Sequence, residues 1–155
     1  MTTTELTPAY SRLVEQARSL LAGQSHRIAN AANLSALIFH ELPDLNWAGF
    51  YFLEGDSLVV GPFQGKPACV HIPLGRGVCG TAAATRQTQR VADVHAFEGH
   101  IACDTASRSE IVVPLIVDQT ILGVLDIDSP LPGRFSLTDQ AGIEALAQVY
   151  LDSLG

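Results

Sequence analysis

Hydrophobic and polar positions follow a helical spacing at both ends of the chain and a strand spacing between them. Apolar residues recur every three or four positions over 13–21 and again over 28–39, which predicts two amphipathic helices. Thr7 and Pro8 suit the cap and the first position of the first helix, and Ser25 suits the cap of the second. The pattern therefore predicts that the chain begins with a helical pair.

Strand patterns rich in β-branched and aromatic residues fill the middle of the chain. The predicted strands lie at residues 47–53, 58–62, 70–73, 89–92, 110–117 and 120–127. An alanine-rich helix is predicted at 81–85, and a final helix follows a cap at Ser136 or Thr138. Residues 93–107 form a long irregular loop, and such loops are usually functional or disordered. Runs of strands with helices at both ends are typical of an α+β domain with an antiparallel sheet, the fold class we predict.

Composition and charge narrow the class of protein. The 155 residues suit a single domain over 1–155, with an ordered core at about 10–150. An apolar content of 47% excludes a disordered chain. The formal net charge of −7, without a Lys/Arg cluster, argues against a nucleic-acid partner. The sequence has neither a signal-peptide pattern nor a long apolar run, so we expect a cytoplasmic protein with no membrane contact.

Three acidic residues accompany the apolar strand patterns. Glu110 directly precedes one strand run, and Asp126 and Asp128 flank Ile127 in the next. Because side chains alternate along a strand, the two aspartates project from one face and Ile127 from the other. Two carboxylates on one face repel each other, which raises at least one pKa and lets that group donate a proton. The alternative is a strand end in solvent with both acids hydrated, because a Ser-Pro pair follows.

The three cysteines are the strongest nucleophiles in the sequence, at Cys69, Cys79 and Cys103. Sulfur attacks more readily than a hydroxyl, and a neighbouring thiol can recover an oxidised cysteine by forming a disulfide. The glycine-rich turn at 75–80 should deliver Cys79 to a helix start, where the helix dipole lowers a thiol pKa. These features predict a thiol-dependent reductase. The alternative is that all three cysteines are inert packing residues.

Two other kinds of site fit the sequence less well. The same glycine-rich turn matches a dinucleotide-binding spacing, but no parallel βαβ pattern surrounds it. His95, His100 and Cys103 share one loop, yet the cysteines form no paired C-x-x-C motif of the kind that zinc sites use. We therefore expect neither a metal nor a cofactor.

Eight sequence segments occur here in a combination that is specific to one enzyme family. They are WAGFY at 47–51, GPFQG at 61–65, AC at 68–69, GRGVCGTA at 75–82, DVH at 93–95, GHIACD at 99–104, SEIVVP at 109–114 and GVLDIDS at 123–129. Together they resemble the free methionine-(R)-sulfoxide reductases, which are single GAF-domain enzymes. The resemblance covers about residues 10–150. It implies a GAF fold, with a central antiparallel sheet, helices packed on one side and a loop-covered pocket on the other.

The resemblance also implies a substrate and a mechanism. Free methionine-(R)-sulfoxide would place its ammonium group beside Glu110, Asp126 and Asp128, one of which would stay protonated and assist the sulfoxide oxygen. Cys103 would attack and become a sulfenic acid, and Cys69 would then form a disulfide with it. Thioredoxin would reduce that disulfide.

The remaining expectations concern the pocket wall, the third cysteine and the assembly. Trp47 and Tyr51 would form an apolar wall around the S-methyl group, with ordinary core packing as the alternative. Cys79 is the second candidate for the nucleophile, or a second resolving thiol. A homodimer is common for this fold. The alternative function is a non-catalytic GAF sensor of a small molecule or of redox state.

Overall fold

A six-stranded antiparallel sheet forms the centre of the structure, a computed structural model that describes residues 5–100 and 105–155. The strands are β1 (Trp47–Glu54), β2 (Ser57–Gly65), β3 (His71–Pro73), β4 (Gln89–Val91), β5 (Ser109–Val117) and β6 (Thr120–Ser129). The helices are α1 (Pro8–Leu21), α2 (Arg27–Glu41), α3 (Gly77–Thr85) and α4 (Leu137–Ser153), and a 3₁₀ turn covers Val94–Ala96. The strand order is β3-β2-β1-β6-β5-β4, with antiparallel neighbours throughout. The predicted α+β fold class is confirmed.

The alternation of side chains gives the sheet two chemically different faces. Leu125 and Ile127 of β6 lie in a large apolar cluster with residues of α1, α2 and α4. Val124 belongs to a second cluster, which includes residues of α3. Asp126 and Asp128 share the face of Val124, as the period of two predicts. The first face therefore supplies the main core, and the second face can hold a polar site.

The clearest differences from the predicted element boundaries occur at three places. The cap of α2 is His26 instead of Ser25, because its ring Nδ1 accepts two backbone N–H groups of the first turn. Helix α3 begins at Gly77, four residues before the predicted start. Strand β6 continues to Ser129 because it pairs with the beginning of β5 as far as Ser109. The last two differences both affect the site described below.

The ends of α1 and α4 agree with the sequence signals. Thr7 caps α1 and accepts the backbone N–H of Tyr10. Ser136, one of the two predicted caps, begins α4. Among the described helices, none combines the length and the hydropathy needed to cross a bilayer.

Candidate active site

A cavity of about 50 Å³ lies between α3 and the sheet, on the face opposite the main core. The predicted site residues that line it are Trp47, Tyr51, Cys79, Glu110, Asp126 and Asp128. The other lining residues are Pro67, Ala68, Ile72, Gly77, Val78, His100 and Ser107. The cavity thus brings together residues from four strands, one helix and two loops.

The three acids converge because β5 and β6 are neighbours in register. Glu110 lies opposite Asp128, and Asp126 is two residues further along the same face of β6. Their exposed fractions are 7% for Glu110, 4% for Asp126 and 8% for Asp128. The alternative of a strand end with hydrated acids is therefore wrong, since β6 remains paired past both aspartates.

Burial in this cluster favours the protonated form of at least one acid. Burial, followed by the charge of Asp126 and a hydrogen bond to it, raises the pKa of Glu110 well above its ordinary value. Burial and the charge of Asp128 also raise the pKa of Asp126, although hydrogen bonds from Glu110 and Cys79 oppose that rise. Carboxyl groups this close can share protons. The cluster can therefore offer negative charge and a proton donor in one cavity.

One oxygen of this cluster is available as an acceptor. Asp126 Oδ1 is buried and has no hydrogen-bond partner among residues 5–100 and 105–155. A buried carboxylate oxygen without a partner carries a substantial desolvation cost. Such an atom at a cavity wall points to a ligand that would donate to it.

Cys79 is a buried, free thiol at the third position of α3. Its Sγ donates a hydrogen bond to Glu110 Oε2 at 3.9 Å. Burial, and then the charges of Asp126 and Glu110, raise the pKa of the Cys79 thiol well above its ordinary value. The prediction of a lowered thiol pKa is therefore wrong, because desolvation and nearby acids outweigh the helix dipole.

The two other cysteines differ from Cys79. Cys69 is half-buried in the connection from β2 to β3, next to the lining residues Pro67 and Ala68, and is disulfide-bonded. Cys103 lies outside the described residues. The predicted roles of these two cysteines remain predictions.

Aromatic residues form one wall of the cavity. The ring of Trp47 stacks on Tyr51 at a centroid distance of 5.7 Å and on Phe63 at 5.1 Å. Trp47 Nε1 donates to the backbone oxygen of Lys66 at 3.1 Å, which fixes the indole against the β2–β3 connection. Both Trp47 and Tyr51 pack in the second apolar cluster and also line the cavity, so the two interpretations of these residues are compatible.

The sequence did not identify His100 and Ser107 as pocket residues. In the sequence, His100 is a candidate metal ligand and belongs to the segment GHIACD at 99–104, and neither feature predicts that it lines the pocket. It lines the cavity, and its ring centroid lies 6.4 Å from that of His95. Burial and the neighbouring His95 lower the pKa of His100. Ser107 is buried and accepts a hydrogen bond from Asn46 Nδ2 at 3.0 Å. Their position in the predicted functional loop, 93–107, was the one available signal.

Comparison with known proteins identifies relatives of both fold and sequence. A GAF domain model matches residues 5–150. The free methionine-R-sulfoxide reductase of Escherichia coli is 58% identical over 140 residues, covering 90% of this chain and 85% of that protein. The fRMsr of Staphylococcus aureus, solved in complex with substrate, is 50% identical with a TM-score of 0.91, covering 100% of both chains.

A third relative agrees with these two. The free methionine-R-sulfoxide reductase of Neisseria meningitidis, solved with its substrate, is 40% identical with a TM-score of 0.91, covering 99% of this chain and 94% of that one. Because the likeness extends over nearly the whole length in sequence and in structure, the chain belongs to the free methionine-R-sulfoxide reductase family, whose members are enzymes with the GAF fold.

Proposed function

We propose that this protein reduces free methionine-(R)-sulfoxide to methionine with cysteine thiols as the reductant. The observation that carries the proposal is the meeting of three buried acids, an aromatic wall and a thiol in one cavity. The substrate carries an ammonium group, a methyl group and a sulfoxide oxygen. The acids suit the ammonium group, the aromatic wall suits the methyl group, and a protonated acid suits the sulfoxide oxygen.

Recognition of the ammonium group explains selection of the free amino acid. Glu110, Asp126 and Asp128 supply an excess of negative charge within a buried site, where an unpaired carboxylate is costly. A cationic ammonium group relieves that cost and can donate to the unpartnered Oδ1 of Asp126. Methionine sulfoxide within a polypeptide has no such ammonium group, so it would leave the acids unsatisfied.

Protonation of the sulfoxide oxygen is the second task of the acids. As the thiolate attacks, the sulfoxide oxygen gains a proton and passes as a hydroxyl group to the cysteine sulfur, while the S–O bonding pair stays on the methionine sulfur. An acid whose pKa is raised by burial, such as Glu110, holds a proton near neutral pH and can donate it. The same cluster can therefore bind the cation with one carboxylate and protonate the oxygen with another.

We assign the redox cycle to Cys103 and Cys69. The Cys103 thiolate attacks the sulfoxide, methionine leaves, and the oxygen remains on Cys103 as a sulfenic acid. The Cys69 thiol displaces that oxygen as water and forms a disulfide, which thioredoxin reduces. Two facts support the assignment: Cys103 follows the cavity residue His100 by three positions, and Cys69 is disulfide-bonded whereas Cys79 is free.

Cys79 is then a poor nucleophile in the resting protein, because a thiol with a raised pKa is largely protonated. We propose that it acts at most as a second resolving thiol. We also propose that the chain is one GAF domain over 1–155 that works in the reducing cytoplasm, where thioredoxin operates. A homodimer is the assembly we propose.

The first experiment is a thioredoxin-coupled NADPH oxidation assay with three substrates in parallel. Free methionine-(R)-sulfoxide should turn over, whereas the S-epimer and a peptide-bound sulfoxide should not. Glu110→Gln should lower kcat/KM by about 10- to 100-fold, the value of a hydrogen bond to a charged group. The exposed Glu54→Gln is the matched control and should be unchanged. A folded, reduced protein that turns over none of the three would instead support a GAF sensor.

The roles of the cysteines need a second experiment. Single-turnover release of methionine, without thioredoxin, reports only the first chemical step. Cys103→Ser should abolish it, whereas Cys79→Ser and Cys69→Ser should retain it. Retention by Cys103→Ser with loss in Cys79→Ser would reverse the assignment.

A further inference from the structure

The cavity contains a set of side chains that could hold a metal ion. One ligand atom each from Cys79, Glu110 and Asp126 lies within 4.8 Å of the other two, and all three residues are buried. Of the histidine, cysteine and acidic side chains in the described residues, these three form the one group whose atoms lie close enough together to bind a single metal ion. This group is also distinct from the His95, His100 and Cys103 combination that the sequence suggested.

A second feature of the cluster points to a ligand. Asp126 is 4% exposed, yet its Oδ1 has no hydrogen-bond partner among the described residues. The same residue lines the cavity, so a ligand in the cavity can reach it. When Asp126 is ionised, this oxygen only accepts hydrogen bonds, so its partner must be a donor or a cation.

The spacing of the atoms suits a small divalent cation. Ligands of a tetrahedral zinc ion lie about 2.3 Å away for sulfur and about 2.0–2.2 Å for oxygen, so a sulfur and an oxygen ligand are about 3.6 Å apart. Cys79 Sγ and Glu110 Oε2 are 3.9 Å apart before any ion binds. Small side-chain adjustments would close the cage, and the adjoining cavity of about 50 Å³ has room for a water molecule as a fourth ligand.

The donor set also selects the kind of cation. A thiolate together with two carboxylates favours a borderline or soft ion, and Mg²⁺ and Ca²⁺ prefer sites made of oxygen alone. Binding would release the proton of the Cys79 thiol and any proton shared by the acids. The bound ion would then carry two positive charges where the proposed function needs room for one ammonium group.

We propose that the substrate-free pocket is a binding site for a thiophilic divalent cation of the zinc and cadmium type, held by Cys79, Glu110 and Asp126. The ion and the substrate would exclude each other, since both use the same two carboxyl groups. This consequence rests on the proposed function, whereas the metal site itself does not. The site gives Cys79 a role that does not require it to attack the sulfoxide.

Cadmium titration of the oxidised protein tests the site directly. Oxidised protein is the right form because Cys69 is then bonded, which leaves Cys79 as the free thiol among the described cysteines. Thiolate-to-cadmium charge transfer gives an ultraviolet absorption band, and calorimetry with Zn²⁺ gives an independent affinity. We expect one ion per chain, and we expect the band to be absent in Cys79→Ser.

Variants of the acids distinguish an ion held by all three residues from an ion held by the Cys79 thiol alone. Asp126→Asn should weaken cadmium binding by about tenfold or more, because it removes one anionic ligand of three. The exposed Asp118→Asn is the matched control and should bind like the unchanged protein. A band that persists in Cys79→Ser, or equal affinity in Asp126→Asn, would overturn the site.

Competition connects the site with the substrate. Methionine sulfoxide added to the cadmium-loaded protein should reduce the band as it displaces the ion. An unchanged band would refute mutual exclusion. The two proposals can fail separately: a metal-free protein without turnover would contradict the reductase and leave the cadmium band intact. Turnover without any band would contradict the metal site alone.

Discussion

At the scale of single residues, Cys79 shows how an environment reverses a local preference. Its place in the first turn of α3 favours a thiolate through the helix dipole. However, Glu110 comes from 31 residues further along the chain to accept its hydrogen bond, and Asp126 adds its charge. The pKa of the Cys79 thiol is therefore raised. The sequence around Cys79 contains no sign of these acids, because only the folded sheet brings them there.

The raised thiol pKa predicts slow alkylation of Cys79. In the oxidised protein, iodoacetamide should modify Cys79 much more slowly than an exposed free cysteine at neutral pH, since the thiol is buried and its raised pKa leaves little thiolate. Mass spectrometry of timed samples measures the rate. A cysteine placed at the exposed position 25 by Ser25→Cys is the matched control and should react normally. Equal rates at the two positions would contradict the prediction.

At the scale of elements, the start of α4 joins two helices through one carboxyl group. Asp139 accepts the backbone N–H and the hydroxyl of Ser136, which completes a capping box. It also accepts the hydroxyl of Tyr10 in α1 at 2.7 Å and pairs with Arg134 at 3.2 Å. Burial alone would raise the pKa of Asp139, but these hydrogen bonds and the arginine together lower it.

This lowered pKa predicts a pH-dependent contribution to stability. A carboxyl whose folded pKa is depressed stabilises the fold above its unfolded pKa of about 3.9, and the stabilisation is lost as pH falls through the folded pKa. Asp139→Asn should therefore cost about 1–2 kcal/mol of unfolding free energy at neutral pH, and little below the folded pKa. Urea unfolding of the two proteins at several pH values measures this difference in unfolding free energy at neutral and at low pH.

The control for Asp139 lies at the other end of the same helix. Asp152 is exposed, and Asp152→Asn removes a negative charge from a helix C-terminus, where such a charge is unfavourable. We expect it to change stability by less than about 0.5 kcal/mol. If Asp139→Asn lowers the unfolding free energy equally at low and neutral pH, the charge of Asp139 is not the source of its stabilising effect.

A second prediction at this scale concerns the close packing of α1 on α4. A Cβ at Gly142 would lie 2.1 Å from Cδ1 of the Tyr10 ring. Gly142→Ala should therefore lower the unfolding free energy by about 1–3 kcal/mol, although alanine favours a helix interior. In a Tyr10→Ala background the same substitution should become neutral or stabilising. Thermal unfolding of the unchanged protein, the two single variants and the double variant measures this double-mutant cycle. Stabilisation by Gly142→Ala alone would contradict the predicted clash with Tyr10.

Most of these elements were predictable, and the error that matters most for the site occurred where a partner from elsewhere in the chain acts. Thr7, Pro8 and Ser136 carry their own helix signals, so α1 and α4 begin where expected. The end of β6 was misjudged because the Ser-Pro pair after Asp128 indicates a break, whereas pairing of Ser129 with Ser109 extends the strand. The same pairing buries the acids, which the local sequence could not reveal.

At the scale of the whole molecule, one face of the sheet supplies the stabilising core and the other face holds the candidate active site. Period-two alternation in β6 predicted which of its residues share a face, and the structure confirms it. The alternation could not predict that α3 would close the polar face, because that depends on contacts of the short helix with β5 and β6. The apolar core on one face can therefore offset the destabilisation that results from burying three acids on the other face.

This division predicts opposite effects for two variants on adjacent strands. Leu125→Ala empties part of the main core and should cost about 2–5 kcal/mol of unfolding free energy, with KM for the sulfoxide within about twofold. Tyr51→Phe keeps the ring stacked on Trp47 and removes only a hydroxyl from the cavity wall. It should change stability by about 1 kcal/mol or less and raise KM by about 2- to 10-fold. Denaturant unfolding and the coupled assay on both variants measure the two quantities. A large KM change in Leu125→Ala, or a loss of stability without a KM change in Tyr51→Phe, would mean that the faces are not independent.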